Sequence, residues 1–289
     1  MKKKTTISVT IATVNAPSSL LKSLKGYFNQ TLKPLEIIVV CGSQGFTKIA
    51  NFLKNNKNAY LIRLIRFDGD KNDARNIGFS KSSGDFIIYA DEDMIPRENL
   101  IKECSKVADN FDAIIIPEEG SNKKNFLSKI HRLEKEILRD DNNTLTPRLF
   151  KRLLFKNNEM PFDKKFGVLD EWGFYSKLKT KNPKIGTVMS FFTVEENMSL
   201  FERFKKNYAK GLWIRNLIKE NKEEGFRRAS LIKRVIQFYS KSHYFTKTPI
   251  IFTSLLFIKV LDFFAFSLGV FASFTIKSYG DSGKFRFSK

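Results

Sequence analysis

Between Ile7 and Ile116 the chain alternates short β-branched apolar runs with segments of helical spacing, and this alternation restricts the fold more than any other feature. Ile7 to Thr13, Leu35 to Cys41, Tyr60 to Phe67, Phe86 to Ala90 and Ala113 to Ile116 read as strands. Helical patterns stand between them: after Pro17-Ser18-Ser19 to about Asn29, through Ile49 to Leu53, Asn72 to Ser82, and Glu98 to Ala108. The Leu35 to Cys41 run is nearly all apolar, which is what a strand buried on both faces requires. Strands alternating with helices predict an α/β fold, a mostly parallel sheet flanked by helices. Ligands in such sheets sit beyond the carboxyl ends of the strands, so the residues just after each strand are the ones to inspect.

Residues 118 to 165 are mixed and charged, with breaks at Asn142-Asn143 and Asn157-Asn158. A helix is expected over Asp170 to Lys179 and a strand over Ile185 to Val194. Residues Phe201 to Lys247 read as helical and basic, with 13 Lys or Arg against 4 Glu. Pro249 to Ile276 then carries seven Phe and only two charges, Lys259 and Asp262. This apolar segment exceeds the roughly 20 residues needed to cross a bilayer. Its two central charges are costly in lipid, although a spacing of three lets them pair on one helix face. Two shorter segments, Pro249 to Ile258 and Phe263 to Ile276, dipping into or lying on the interface, form the alternative. Without a membrane, the same segment would be an apolar pair that oligomerises the chain or buries against its remainder.

Lys plus Arg outnumber Asp plus Glu by 51 to 30, a formal charge of +21 that calls for an anionic partner. If the apolar segment meets a membrane, the basic stretch before it would lie against anionic lipid at the cytoplasmic face of the cell membrane. No nucleic-acid reader motif accompanies it, so no nucleic acid is expected. Cys41 and Cys104 are too few for a disulfide framework or a zinc site, and a reducing compartment is the simple reading. Met1-Lys2-Lys3-Lys4 resembles the start of a signal peptide, but Thr5 to Val14 is broken by Thr and Ser and reads as the first strand. The expected organisation is an α/β domain over 1–200, a basic helical region over 201–247, and apolar membrane-associated helices with a short basic tail over 248–289.

The fourth strand ends in Asp91-Glu92-Asp93. Two carboxylates at a spacing of two lie on one side of an extended segment. Hard oxygen ligands of this kind suit Mg2+ or Mn2+ shared with substrate phosphates. A solvated acidic turn has the same appearance in isolation. The strand before it and the helix after it favour the metal reading.

Taken together, Asp73-Ala74-Arg75-Asn76-Ile77-Gly78, Ser83-Gly84-Asp85-Phe86-Ile87 and Asp91-Glu92-Asp93 resemble the A-R-N-x-G, G-D-[YF]-[IL] and D-x-D core of family 2 glycosyltransferases. The opening strand Ile7 to Asn15, Phe28-Asn29-Gln30-Thr31 and Glu36 to Val40 are similar to that family in the same order. The resemblance implies the GT-A (Rossmann-like) fold, a nucleotide-sugar donor and a divalent ion. It implies that Thr13, Asn15, Ser43, Asp73, Arg75, Asp91 and Glu92 face the donor, and that Asp93, with Asp91, holds the metal. Phe162-Asp163 and Leu169-Asp170-Glu171-Trp172 resemble the family's F-D and E-D-W segment, which implies Glu171 as general base beside Asp170. Arg148 and Trp172 then lie on the acceptor side.

The chain also departs from the family. Where relatives carry an acidic D-[DG]-x-S after the second strand, this sequence has Cys41-Gly42-Ser43. Where many carry H-x-E, it has Val194-Glu195-Glu196. The expected function is metal-dependent, inverting transfer of a sugar to a hydroxyl of a lipid-linked or glycan acceptor at the membrane. Synthesis of a polyprenyl-phosphate sugar is the alternative within the class. A basic nucleic-acid-binding protein and a non-catalytic scaffold are the alternatives outside it.

Overall fold

The computed structural model describes residues 5–275 apart from 17, 55, 123–124, 140–144, 157, 196–197, 231–240 and 242. Pro17, Asn142-Asn143, Asn157, Glu196, the middle of the basic stretch and the tail after Thr275 therefore lie outside the described residues. The first half is built from β1 (Ile7–Thr13), α1 (Ser18–Phe28), β2 (Glu36–Cys41), α2 (Ser43–Lys54), β3 (Ile62–Arg66), α3 (Lys71–Lys81) and β4 (Phe86–Ala90). Every residue of β1 and β4 is buried, which is why their apolar runs give their bounds directly. The four strands are parallel in the order β3-β2-β1-β4, with Ser8 to Thr13 paired to Glu36 to Cys41. At Gly78 of α3 a Cβ would come within 3.0 Å of the Thr10 side chain of β1, so glycine there lets helix and sheet approach closely.

The chain continues with β5 (Met94–Pro96), α4 (Leu100–Val107), β6 (Ala113–Ile115), β7 (Glu118–Gly120), α5 (Phe126–Leu138) and β8 (Leu149–Lys151). β8 enters antiparallel between β4 and β6, extending the sheet through β3-β2-β1-β4-β8-β6. After α6 (Asp170–Lys179), the single strand expected over Ile185 to Val194 is two: β9 (Ile185–Thr187) and β10 (Phe192–Val194). β9 edges the large sheet beside β6, while β10 joins β5 and β7 in a second, three-stranded sheet. The chain changes sheets at Ser190, whose N–H donates to Glu103 (2.7 Å) and whose hydroxyl donates to Asn99 (3.0 Å).

Among the described residues the basic region opens with α7 (Leu200–Glu220) and α8 (Lys222–Ala229), not one run. Asn221 breaks it, with an extended φ/ψ of −144/95 and a side chain that accepts from the Glu224 N–H to cap α8. A short helix, His243–Lys247, precedes one unbroken apolar helix, Pro249–Thr275. The two separate segments of the alternative reading do not form, because the charges that argued for a break are satisfied in place. Asp262 accepts from Arg203 (2.8 and 2.6 Å) and from Asn207 (2.7 Å), and Lys259 bonds Glu134 and Asp262.

Candidate active site

The carboxyl ends of β3, β2, β1 and β4 form one shelf, as the register of the parallel strands requires. Beyond β4, Asp91-Glu92-Asp93 turns toward β5. The Asp91 carboxylate meets Lys71 (2.8 Å), Arg75 (2.6 Å) and Arg148 (3.5 Å). Lys71 and Arg75 are one turn apart on α3, so both reach the same side of that helix. Arg75 also binds Asp170 (2.6 Å) and approaches Glu171 (3.8 Å), while Arg148 binds Glu171 (2.9 Å) and Glu118 (3.1 Å). Three cations thus interleave with four carboxylates.

The two guanidiniums are buried, and an aromatic floor holds them. Arg75 lies over the rings of Tyr89 (5.3 Å) and Phe162 (5.2 Å), and Arg148 over Tyr89 (5.1 Å). Tyr89 packs edge-on against Phe174 and Phe162, with centroids 5.0 and 5.1 Å apart. Cations over ring faces gain from the ring quadrupole, most when desolvated. Burial alone would raise the Asp91 carboxyl, but Lys71, Arg75 and Arg148 hold it well below the usual carboxylate range. Burial likewise opposes ionisation of Glu118, and Lys135 and Arg148 bring it down to about 2. The Arg75 side chain, disfavoured by burial, is held charged by Asp170 and Asp91.

This cluster opens into a cleft of about 730 Å³. Asp91, Asp93, Arg148, Asp170, Glu171 and Trp172 all line it. So do Lys71, Glu118, and Lys206, Lys210 and Trp213 of α7, most of which the sequence alone does not single out. A signal exists for two of them: Lys71 is one helical turn before Arg75, and Glu118 comes soon after strand β6. The Glu171 backbone N–H donates to Asp170 (2.9 Å), so the two acids are coupled as well as adjacent. Gly167, with φ of 49°, makes the turn that presents them, and the Trp213 ring occupies the space a Cβ would need there.

The remaining candidates lie along the shelf and outside the lining of the cleft. Thr13 is buried at the end of β1, and its hydroxyl has no hydrogen-bond partner among the described residues. Asn15 and Ser43 are exposed beyond β1 and β2, brought together by the Gly42 N–H donating to the Thr13 carbonyl (3.1 Å). Asp73 pairs with Lys164 at the start of α3, and Glu92 is half-buried in the turn. Cys41 is a buried free thiol, pushed up to about 11 by burial and by Asp68. Asp68, after β3, carries no motif that marks it in the sequence. Its carboxylate accepts from the Ser43 N–H (2.7 Å) and hydroxyl, and so stands beside the position where family relatives place an acid after the second strand.

Among the described residues no three His, Cys, Asp or Glu side chains converge as a metal cage. Asp91 already holds three cations. An ion at Asp93 would complete its coordination from diphosphate oxygens and water, which is the mode Mg2+ and Mn2+ accept, so the residues present fit such an ion.

Comparison with known proteins places this arrangement. Among curated protein sequences none matches the chain. Many solved structures resemble it in fold, two of them as follows. S. aureus TarS 1–349, in complex with UDP-GlcNAc, has a TM-score of 0.53 at 14% identity, covering 95% of this chain and 93% of that one. The mannosyltransferase PcManGT from Pyrobaculum calidifontis, in complex with GDP-Man and Mn2+, has a TM-score of 0.62 at 14% identity, covering 93% and 88%. Both share the mostly parallel, helix-flanked GT-A sheet. The family profile described as "Glycosyl transferase family 2" matches residues 8–172, a span that runs from β1 through Asp91-Glu92-Asp93 to Trp172 and exceeds half of the chain. With the parallel strands β1 to β4, the D-x-D turn and the Asp170-Glu171 pair within that span, the chain belongs to glycosyl transferase family 2 and is a glycosyltransferase.

Proposed function

We propose that the chain transfers a sugar, with inversion, from a nucleotide-sugar donor held with Mg2+ or Mn2+ to a hydroxyl of a lipid-linked or glycan acceptor at the cytoplasmic face of a membrane. One observation carries this reading: Glu171, gripped by Arg148 at 2.9 Å, lines the same cleft as Asp93. A base and a diphosphate site therefore face one space. The two neighbouring structures, solved with UDP-GlcNAc and with GDP-Man and Mn2+, support a nucleotide donor and a divalent ion.

In this mechanism Thr13, Asn15 and Ser43 receive the nucleoside at the β1–β2 end of the shelf, with Asp68 at the base. Lys71 and Arg75 stand by the diphosphate, and Asp93, with Asp91 behind it, holds the divalent ion. When bound, that ion supplies Lewis-acid stabilisation of the charge that grows on the leaving diphosphate. Glu171 takes the proton from the attacking hydroxyl. Arg148 and the Asp170–Arg75 pair fix the Glu171 carboxylate so that it need not reorganise as the reaction proceeds. Trp172 and Trp213 offer apolar faces for the acceptor sugar.

The test is donor binding and turnover across a panel of nucleotide sugars in detergent, with Mn2+, Mg2+ or chelator. A metal-dependent response to one donor supports the reading, and a folded protein silent to every donor sinks it. Transfer to a polyprenyl phosphate is the second reading, favoured by Lys206 and Lys210 of α7 on the cleft wall. A phosphate acceptor arrives ionised and needs no base. Under that reading Glu171→Gln leaves turnover within about a few-fold, whereas hydroxyl transfer loses roughly 10²-fold or more.

A further inference from the structure

The helix Pro249–Thr275 is apolar on both faces, and the two faces meet different surroundings. At 100° per residue, Phe252, Leu255, Ile258, Asp262, Ala265, Phe266 and Ser273 fall within an arc of about 140°. These residues are buried. The arc's first half packs on Ile130, Leu133 and Ile137 of α5. Its second half packs on α7, where Gly211 and Gly269 bring the two backbones close enough that neither position has room for a Cβ. The opposite arc, about 120° wide, holds Ile250, Phe257, Val260, Phe264, Phe271 and Phe274. Each of these is between 55% and 73% exposed. An apolar stripe of this length, some 36 Å at 1.5 Å per residue and interrupted only by the small Thr253 and Ser267, is larger than a soluble monomer leaves in water.

By length and composition the helix passes for a membrane span. Its charges say otherwise. Lys259 and Asp262 lie on the buried arc and are bound there by Glu134 of α5 and by Arg203 and Asn207 of α7. Crossing a bilayer would require either breaking that network in hydrocarbon or dragging two polar helices of the catalytic domain in with it, and both are prohibitive.

We infer that Pro249–Thr275 lies flat on an anionic bilayer, with its Ile250-to-Phe274 stripe sunk to the headgroup–acyl boundary and its other face fixed to the catalytic domain. Charge complementarity commits the stripe to anionic lipid. The chain carries a formal charge of +21, the exposed Lys247 stands at one end of the stripe, and Arg215 lies 4.6 Å over the Phe274 ring at the other. The inference rests on the membrane part of the proposed function and specifies its geometry. It also has a consequence for the acceptor. Lys206, Lys210 and Trp213 of α7 line the cleft, while Arg203 and Arg215 of the same helix bind the apolar helix, so the cleft opens one helix away from the lipid surface. A lipid-anchored acceptor in that leaflet reaches Glu171 without leaving the membrane.

The test uses the full chain and sealed vesicles of phosphatidylcholine with or without phosphatidylglycerol. The chain should float with the anionic vesicles, and a Phe257→Ser/Phe264→Ser/Phe271→Ser variant should lose at least about tenfold in bound fraction. A fluorophore is then placed on single introduced cysteines, the native Cys41 and Cys104 being buried. Lipids brominated at known depths should quench it at positions 257, 264 and 271 to one shallow depth, and not at the exposed position 60 beside the β3 edge of the sheet. Quenching depth that changes steadily from 257 to 271 means a span and overturns the inference. So does a chain that ignores vesicles and runs as a dimer by light scattering, dispersed by the same triple substitution. Nucleotide-sugar binding by the detergent-solubilised chain is read separately. Its absence sinks the proposed chemistry, while flotation and quenching still decide where the helix lies.

Discussion

Two buried charge networks, one under the cleft and one under the apolar helix, differ in what they leave open. The network under the cleft joins Lys71, Arg75 and Arg148 to Asp91, Asp170, Glu171 and Glu118. Its outer members reach solvent, with side-chain exposures of 46% for Lys71 and 28% for Glu171. The network under the apolar helix joins Arg203 and Lys259 to Glu134 and Asp262, and none of the four side chains exceeds 23% exposure. In the first, cations and acids remain within reach of a ligand that can exchange partners with them. In the second, every charge is used to hold one helix to two others. Similar chemistry thus leaves charges open to a ligand in one place and makes a clamp in the other, and solvent access makes the difference.

The sharpest way to separate them is to remove one charge from each. Asp93→Asn should cut transfer by about 10³-fold, because the divalent ion proposed there would lose its carboxylate, while the melting temperature stays put. Arg203→Met should do the reverse. It leaves Glu134 and Asp262 short of a partner in a poorly solvated place, so stability falls by about 2 kcal/mol. That is a drop in melting temperature of roughly 4–8 °C for a chain of this size. Donor affinity measured well below the melting range should not move. If Arg203→Met abolishes donor binding in a folded protein, the two networks are one system and the contrast fails.

The pH dependence of stability sharpens the same contrast. Burial acts to raise Glu134, but Lys259 and Arg203 hold its folded pKa well below the ordinary carboxylate value. A depressed carboxylate contributes stability that is fully present above its unfolded pKa of about 4.3 and is lost as pH falls from there through the folded value. Melting temperature should therefore fall as pH drops below about 4.3, and Glu134→Gln should flatten part of that fall. Glu118, held at about 2 beneath the cleft, contributes in the same direction, so the slope is reduced and not erased. An unchanged slope in Glu134→Gln would mean the clamp network carries no net charge coupling.

The two regions are also unequally legible in the sequence. β1 and β4 run over the residues their apolar patterns mark, since strands buried on both faces need nothing beyond their own composition. The D-x-D turn and Asp170-Glu171 are legible because they follow regular elements at a recognisable spacing. α5 is hidden because residues 118 to 165 are charged overall. Its buried face, Ile130, Leu133 and Ile137, is completed by Phe252, Leu255 and Ile258 more than a hundred residues later. The continuity of the apolar helix is hidden for the same reason. Lys259 and Asp262 look like a break until Glu134 and Arg203 are brought to them by the tertiary fold. The sequence marks Arg75, Asp91, Asp170 and Glu171 separately, but not that the four side chains meet, since Asp170 and Glu171 come from a segment 95 and 96 residues away from Arg75.

Asp68 tests the site at its quietest point. The chain lacks the family's acid after β2, where Cys41-Gly42-Ser43 stands, yet the end of β3 supplies one that reaches Ser43. Two roles are open to a carboxylate there. It accepts from the first N–H of α2, which is a helix-capping role, and it faces the strand ends where the donor base would bind. Asp68→Asn keeps an acceptor for the Ser43 N–H but loses the charge and half of the carboxylate's hydrogen-bonding capacity. If Asp68 grips the base, donor affinity falls by about fivefold with turnover at saturation unchanged, the signature of binding lost equally in ground and transition states. The nucleotide alone should show the same loss, because the base contact does not involve the sugar. If Asp68 is only a cap, affinity for donor and nucleotide stays within about twofold, and Ser43→Ala lowers the melting temperature by as much as Asp68→Ala does.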